Sequence, residues 1–437
     1  MKRLFLPLAI GATLLGGIPL GANPATAADP DQLLKNTESK VIEWRRHLHQ
    51  NPELGNREFE TAKYIEQHLK ALGIQVETGV AHTGVIGLLK GGKPGPTVAL
   101  RADMDALPVT EQMDLPFASK VKTTYQGKDV GVMHACGHDT HVAMLMGAAE
   151  VLAGMRDELA GNVLFIFQPA EEGAPDGEEG GAELMLKEGL FKKYKPDVAF
   201  GQHVTSTLPV GVIGYRSGPL MASSDEFRIT VDGRQTHGSR PWGGVDPITA
   251  AAQIVLGTQT IVSRQIDITK EPAVVSFGKI DGGVRNNIIP DSVFMNGTIR
   301  NFDMDNRQQI FAKLKTTAEL IAESAGAKAK VEIIEGYPVT VNNPALTDKV
   351  IPVMKAVAGD KNVIVVPKIT GAEDFSYFAN EVPGFYYFLG VTPKSKDPAT
   401  AASNHSPRFY VDESALKVGT EAITQLTLDY MANNPKN

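Results

Sequence analysis

Two short stretches, residues 163–167 and 198–200, are unbroken apolar runs too brief to be helices. A strand with one wet face alternates apolar and polar side chains, so an unbroken run has to be covered on both faces. Strands of this kind alternating with helices imply a sheet covered by helices on both sides. The rest of the early sequence supplies the covering layers. Residues 41–50 read as a helix stopped at Asn51-Pro52, and Ala62, Ile65, Leu69 and Leu72 follow helical spacing closed by Gly73. Residues 85–89 and 98–100 read as strands separated by a Gly/Pro-rich turn. Val142, Leu145, Met146, Ala149 and Leu152 line one helical face. The expected class is α/β, a mixed sheet covered by helices.

The texture changes near Gly218. Residues 226–231 alternate, 247–263 are helical in pattern, 274–280 and 293–300 read as strands, 310–325 as a helix and 330–335 as a last strand. That order suits a small ferredoxin-like α+β layer. From Tyr337 the first texture returns, with a strand at 385–389 and a helix after Asp412. At 437 residues the chain also exceeds what one core usually supports. The expected organisation is a catalytic domain in two parts, residues 28–217 and 336–437, interrupted by an inserted domain at 218–335.

Residues 1–27 read as a signal peptide: Lys2 and Arg3 precede an apolar run at 4–20, and Ala25-Thr26-Ala27 fits a small-x-small cleavage site. The expected location is periplasmic or secreted, with no membrane attachment after cleavage. Removing Lys2 and Arg3 leaves 41 basic residues against 50 acidic ones, which gives no electrostatic footprint for nucleic acid. Cys136 is the single cysteine, so no intramolecular disulfide can form.

Ligand crevices in open α/β sheets lie beyond the carboxyl ends of strands. Asp103 and Asp105 follow the run at 98–100, Glu171 and Glu172 follow 163–167, and His203 follows 198–200. Cys136 and His138 stand in "MHACGHDTH", a Gly-containing loop before a helix starting near His141, and His405 stands in "SNHSPRF". Each signal alone is common. A lone histidine is more often core or surface, and paired glutamates are usually a solvated face, as the acidic run at 176–179 is expected to be. What points to a site is that sulfur, imidazoles and carboxylates from distant segments all converge on one sheet edge.

The segments "RRHLHQNPELG", "ALRADMDALPV", "MHACGHDTHVAML", "FQPAEEG", "GQHV", "THGSRPWGGVDPI", "GKIDGGVRNNIIPD", "GTIR", "TGAEDFSYF" and "NHSPRF" resemble, in order, the M20 metallopeptidase family. The likeness is to its aminoacylase and hippurate hydrolase branch and spans nearly the whole chain after residue 27. It implies an α/β catalytic domain interrupted by a lid or dimerisation domain, and a homodimer or higher homo-oligomer formed through that lid. It implies that Cys136, His138, Glu172, His203 and His405 hold two divalent metal ions, with Asp103 standing where other members carry the histidine of a strand-end HxD. Zinc suits the thiolate best, and manganese, cobalt or nickel suit the imidazoles and carboxylate. By the same resemblance Glu171 is the general base and Asp105 orients a histidine ligand. His237 is donated across the subunit boundary, and Asn287, Arg300 and Gly371 meet the substrate. The implied substrate is a small N-acyl amino acid, with a metallo-carboxypeptidase or dipeptidase as the alternative. His134, Asp139 and His141 are expected to support the loop, and His47, His49, His68 and His82 receive no role.

Overall fold

The computed structural model describes residues 29–436. The proposed export segment, residues 1–27, lies outside the described residues. No helix among those described is long and apolar enough to cross a membrane.

One eight-stranded mixed sheet carries the larger part of the molecule. Edge to edge it runs Gln75–Val80, Gly84–Lys90, Ala160–Gln168, Lys93–Asp103, Val198–Pro209, Gly384–Thr392, Ile213–Tyr215 and Val363–Val365. Its centre is parallel: Lys93–Asp103 lies between Ala160–Gln168 and Val198–Pro209, and Gly384–Thr392 pairs with the far side of Val198–Pro209. These central strands contain the unbroken apolar runs, and Gly384–Thr392 is buried at every position. Alternate side chains feed two cores. Phe165, Phe167, Phe200 and Phe385 pack with Leu145 and Leu152 of helix His138–Gly154 and Ile423 of helix Ala415–Asn433. On the other face Ile166, Tyr386 and Phe388 pack with Phe375 and Phe378 of helix Phe375–Glu381. The edge strand Gln75–Val80 is not legible in the sequence, because none of its residues is fully buried. The first helix is Pro30–Gln50, longer than the pattern at 41–50. Asp29 caps it, its carboxylate accepting from the Asp31 N–H, and Pro30 takes the first helical position.

A second sheet is antiparallel and four-stranded, ordered Ala273–Asp281, Ser292–Asn301, Asp225–Asp232, Lys328–Ile334. Phe227, Ile229 and Val231 point inward on alternate positions, as a sheet covered on one face requires. They meet Ala250 and Ile254 of helix Pro247–Thr260 and Ile310, Leu314 and Ala318 of helix Met304–Ser324.

Two neighbouring strands link the sheets. Gly218–Met221 pairs antiparallel with Thr340–Asn342, and the Ser224 N–H donates to Tyr337 O at 2.9 Å. A side chain at Gly336 would put its Cβ 2.1 Å from Ser224 O, so the crossing is closed to every residue but glycine. Buried Asp225 fixes the crossing by accepting from the Arg307 guanidinium and the Gly336 N–H.

Candidate metal centre

Asp103 is the last residue of its central strand, and Asp105 follows just beyond it. Glu171 and Glu172 follow strand Ala160–Gln168 by one short turn. His203 is not past its strand, as the sequence suggests, but inside Val198–Pro209. The reason is unequal pairing. The strand leaves its neighbour Lys93–Asp103 at Gly201 but stays paired with Gly384–Thr392, where His203 lies opposite Phe388. His203 therefore stands at the carboxyl edge on one side only. The Cys136 loop also differs from expectation: the helix begins at His138 rather than near His141. Gly137 caps it with φ +95°, and a Cβ there would sit 2.4 Å from Val204 Cγ2. Glycine thus lets the Cys-Gly-His turn press against the residue next to His203.

The side chains of Cys136, His138, Glu172, His203 and His405 meet. Cys136 Sγ lies 3.3 Å from both His203 Nε2 and His405 Nε2, and His405 Nε2 lies 3.0 Å from Glu172 Oε1. His138 Nε2 stands 4.0 Å from Glu172 Oε1, 4.0 Å from Glu171 Oε2 and 3.8 Å from Asp103 Oδ2. Hydrogen bonds on the opposite ring nitrogens fix the tautomers. His138 Nδ1 donates to Asp105 Oδ1 at 3.2 Å and His203 Nδ1 to Val204 O at 2.7 Å, so both Nε2 lone pairs face the cluster. His141, also close by, is different. Its Nε2 accepts from the Val204 N–H at 2.9 Å and its Nδ1 donates to Asp103 Oδ1 at 2.5 Å, which leaves no lone pair for a ligand. It holds the strand beside His203.

These residues fit divalent metal. His138 Nε2 is buried without a hydrogen-bond partner, facing three carboxylates. A thiol, a carboxylate and three imidazoles are more donors than one tetrahedral ion uses, and suit two. The electrostatics point the same way. Burial, then Glu172 and Glu171, push the Cys136 thiol well up. Burial, then Glu373 and Glu172, do the same to Glu171. Burial opposes charge on His138, yet Asp103 and Asp105 raise it to about 10. A site this rich in acid is one a cation stabilises, and a cation turns the thiol to thiolate.

Sequence reasoning missed the frame around Glu171. Ala170, just before it, has φ +50°, a strained value for a residue with a side chain. Three bonds hold this turn: the Ala170 N–H donates to Glu58 Oε1 at 2.9 Å, the Glu172 N–H to Asp105 Oδ2 at 3.0 Å, and the Tyr337 hydroxyl to Glu171 O at 2.7 Å. Beneath it, Arg101 is fully buried and pairs with Asp103 at 2.7 Å and with Glu373 and Asp374 at 2.8 Å each, while Gln168 accepts from its Nε. The side chain of Asn404 donates to the carbonyls of both Cys136 and Val204, which seats the His405 loop. "TGAEDF" and "NHSPRF" carry some of these residues, but only the fold shows that they meet.

The cluster opens into a cavity of about 790 Å³, lined also by Arg300, Gly371, Ser224 and Tyr337. Arg300 is half-buried there and makes no ion pair with an acid among the described residues. His237 and Asn287 are elsewhere. They are exposed neighbours on the smaller sheet's side, joined through the Gly238 N–H to Asn287 O, and neither lines the cavity.

Comparison with known proteins agrees with this geometry. The pattern of Peptidase family M20/M25/M40 matches residues 99–429. Thermostable carboxypeptidase 2 of Saccharolobus solfataricus is 43% identical over 91% of this chain and 97% of its own length. N-acetyl-L-cysteine deacetylase of Bacillus subtilis is 39% identical over 88% of this chain and 86% of its own. The crystal structure of the Bacillus subtilis YXEP protein, described as a dinuclear metal binding peptidase from the M20 family, superposes with a TM-score of 0.75 at 36% identity, covering 91% of this chain and 99% of that one. On the matched pattern, the shared architecture and the donor cluster together, the chain belongs to Peptidase family M20/M25/M40 and is a metal-binding hydrolase of that family.

Proposed function

We propose that the protein hydrolyses the amide bond of N-acyl amino acids. The observation that carries this reading is the placement of Glu171 beside the donor cluster, in a cavity that also holds an arginine without an ion pair among the described residues. In this reading Cys136, His138, Glu172, His203 and His405 hold two divalent cations, zinc being favoured by the thiolate. Bound there, such ions polarise the scissile carbonyl and bring the pKa of a water toward about 7. Glu171 takes a proton from the water as its oxygen attacks the carbonyl carbon. It then delivers that proton to the nitrogen as the C–N bond breaks, so the leaving group departs as an amine rather than as its anion. Asp105 keeps the His138 ring in one tautomer. Arg300 receives the substrate carboxylate, and the absence of a Cβ at Gly371 leaves room for substrate against the backbone. The supporting comparison is the deacetylase of Bacillus subtilis, whose name states removal of an acetyl group from an amino acid.

The 43% identity to a carboxypeptidase favours a second reading, cleavage of short peptides from the carboxyl end. Purified protein supplied with zinc or manganese and given matched acyl-amino-acid and dipeptide panels separates the two by the amine released. Faster turnover of dipeptides refutes the first reading. His237 and Asn287 are proposed to serve the cavity of a second subunit in a homodimer formed through the smaller sheet. Mixing inactive Glu171→Gln and His237→Ala chains tests this, because crossed dimers regain activity only if histidine is supplied in trans. On the strength of Lys2, Arg3 and the Ala25-Thr26-Ala27 site we also place the mature protein in the periplasm or outside the cell. N-terminal sequencing of protein from fractionated cells tests that assignment.

A further inference from the structure

The lining of the cavity is of two chemical kinds: polar residues, the metal-ligand cluster with Arg300 and Tyr337, and an apolar wall of Leu208, Met221, Val366, Ile369 and Phe388. Met221, Val366 and Phe388 are 7%, 8% and 6% exposed, and Leu208 and Ile369 pack against them from the rim. This wall is an extension of the second core rather than a loose surface patch. It begins at the cluster itself, because Phe388 pairs in register with His203 and their rings lie 6.2 Å apart. A group attached directly to a carbonyl held at the cluster therefore has apolar surface within reach.

The same wall lacks what a free peptide needs. A dipeptide carries an ammonium next to its scissile carbonyl, and a desolvated ammonium requires a carboxylate partner. Among the described residues, the acids lining the cavity are Glu171, Glu172 and Glu373. Glu172 faces His405 and His138 in the cluster. Both oxygens of Glu373 are already engaged, one by Arg101 and the Phe375 N–H, the other by the Tyr386 hydroxyl. Glu171 must give and take a proton. None of the three is left to pair with an ammonium.

We propose that Leu208, Met221, Val366, Ile369 and Phe388 form an acyl pocket that selects an uncharged, bulky acyl group, aromatic or branched aliphatic, and sets which amide the enzyme cleaves. The proposal rests on the amidohydrolase reading above and narrows it. The test compares three alanine derivatives on the metal-loaded wild-type enzyme: N-acetyl, N-(3-phenylpropionyl) and phenylalanyl, the last two differing only by the ammonium. Burying the phenyl group predicts a kcat/KM on the order of 10- to 100-fold higher for the 3-phenylpropionyl than for the acetyl derivative. The phenylalanyl derivative is expected to be at least about 10-fold poorer than its amine-free counterpart. Filling the pocket by Ile369→Trp or by Leu208→Trp pulls the ratio of 3-phenylpropionyl to acetyl turnover toward one. Equal turnover of the acetyl and 3-phenylpropionyl derivatives, or an unchanged ratio in both tryptophan variants, overturns the proposal while leaving the amidohydrolase reading intact; a preference for the ammonium overturns both in favour of the peptidase reading. Failure to cleave any of the three removes the amidohydrolase reading and the proposal with it.

Discussion

Replacing Arg101 by methionine keeps most of the side chain's volume and removes its charge from among three buried carboxylates. Asp103, Glu373 and Asp374 are each no more than 1% exposed, and all three pair with this one guanidinium. Removing one partner of a buried ion pair costs about 3–5 kcal/mol, because the remaining charge is left desolvated. The three losses do not simply add. Burial, opposed by Arg101 and reinforced by Glu373, already holds Asp374 at about 7, so near neutral pH it can take a proton and relieve part of the charge. Arg101→Met should therefore lower stability at pH 7 by about 3–5 kcal/mol, or by roughly 6–20 °C in Tm on the scale of domains somewhat smaller than this one. The sign with pH follows. Protonation neutralises the stranded carboxylates, so the deficit relative to wild type shrinks as pH falls from 8 toward 5 and grows as it rises. Urea unfolding followed by tryptophan fluorescence reads this directly. The two tryptophans are Trp44 and Trp242, and a Trp242→Phe background leaves Trp44, which packs against the larger core, as the reporter. A deficit under about 1 kcal/mol at pH 8 would refute the idea that Arg101 is the charge on which these acids depend.

Glu171→Gln is expected to lower kcat by about 10²–10⁴-fold while bound metal, measured by elemental analysis, stays unchanged; joint loss of both argues against the base assignment. Cys136→Ala or His405→Ala should reduce bound metal, and unchanged stoichiometry removes that residue from the ligand set. Tyr337→Phe deletes the hydroxyl that holds Glu171 O, and at about 1 kcal/mol per hydrogen bond kcat should fall about fivefold with metal content constant; an unchanged kcat means the turn holds without it. Burial, against the bond from its ring to Met146 O, lowers the pKa of His68. Its stabilising contribution is thus present above about 6.5 and is lost as pH falls through the lowered value. His68→Gln should flatten the stability profile between pH 7 and 5, and an unaltered slope refutes that source.

Much of this molecule is written locally. The apolar runs at 163–167 and 198–200 announce two-faced burial, and the alternation at 226–231 announces the one-faced sheet, because side-chain period follows directly from which faces are covered. Glu171, Glu172 and His203 can be named as site residues because each follows an apolar run that marks a buried strand. What the sequence hides are features that depend on two segments at once. His203 stays inside its strand because the partner at 384–392 runs further than the one at 93–103. The roles of Arg101, Glu58 and Tyr337 depend on contacts that reach across 273, 112 and 166 residues of chain. The supporting part expected of His141 is carried by the bond its Nε2 accepts from the Val204 N–H, which no local spacing announces.

The order of the large sheet has a consequence for synthesis. Gly384–Thr392, the last strand made among the described residues, sits between Val198–Pro209 and Ile213–Tyr215. Until it emerges, a growing chain exposes two raw strand borders, an arrangement prone to sticking and slow to close because the pairing spans so many residues. His405 is made later still. A nascent polypeptide that has not reached His405 therefore lacks one of the proposed ligands, and capture of ions by the full set has to follow synthesis of that residue.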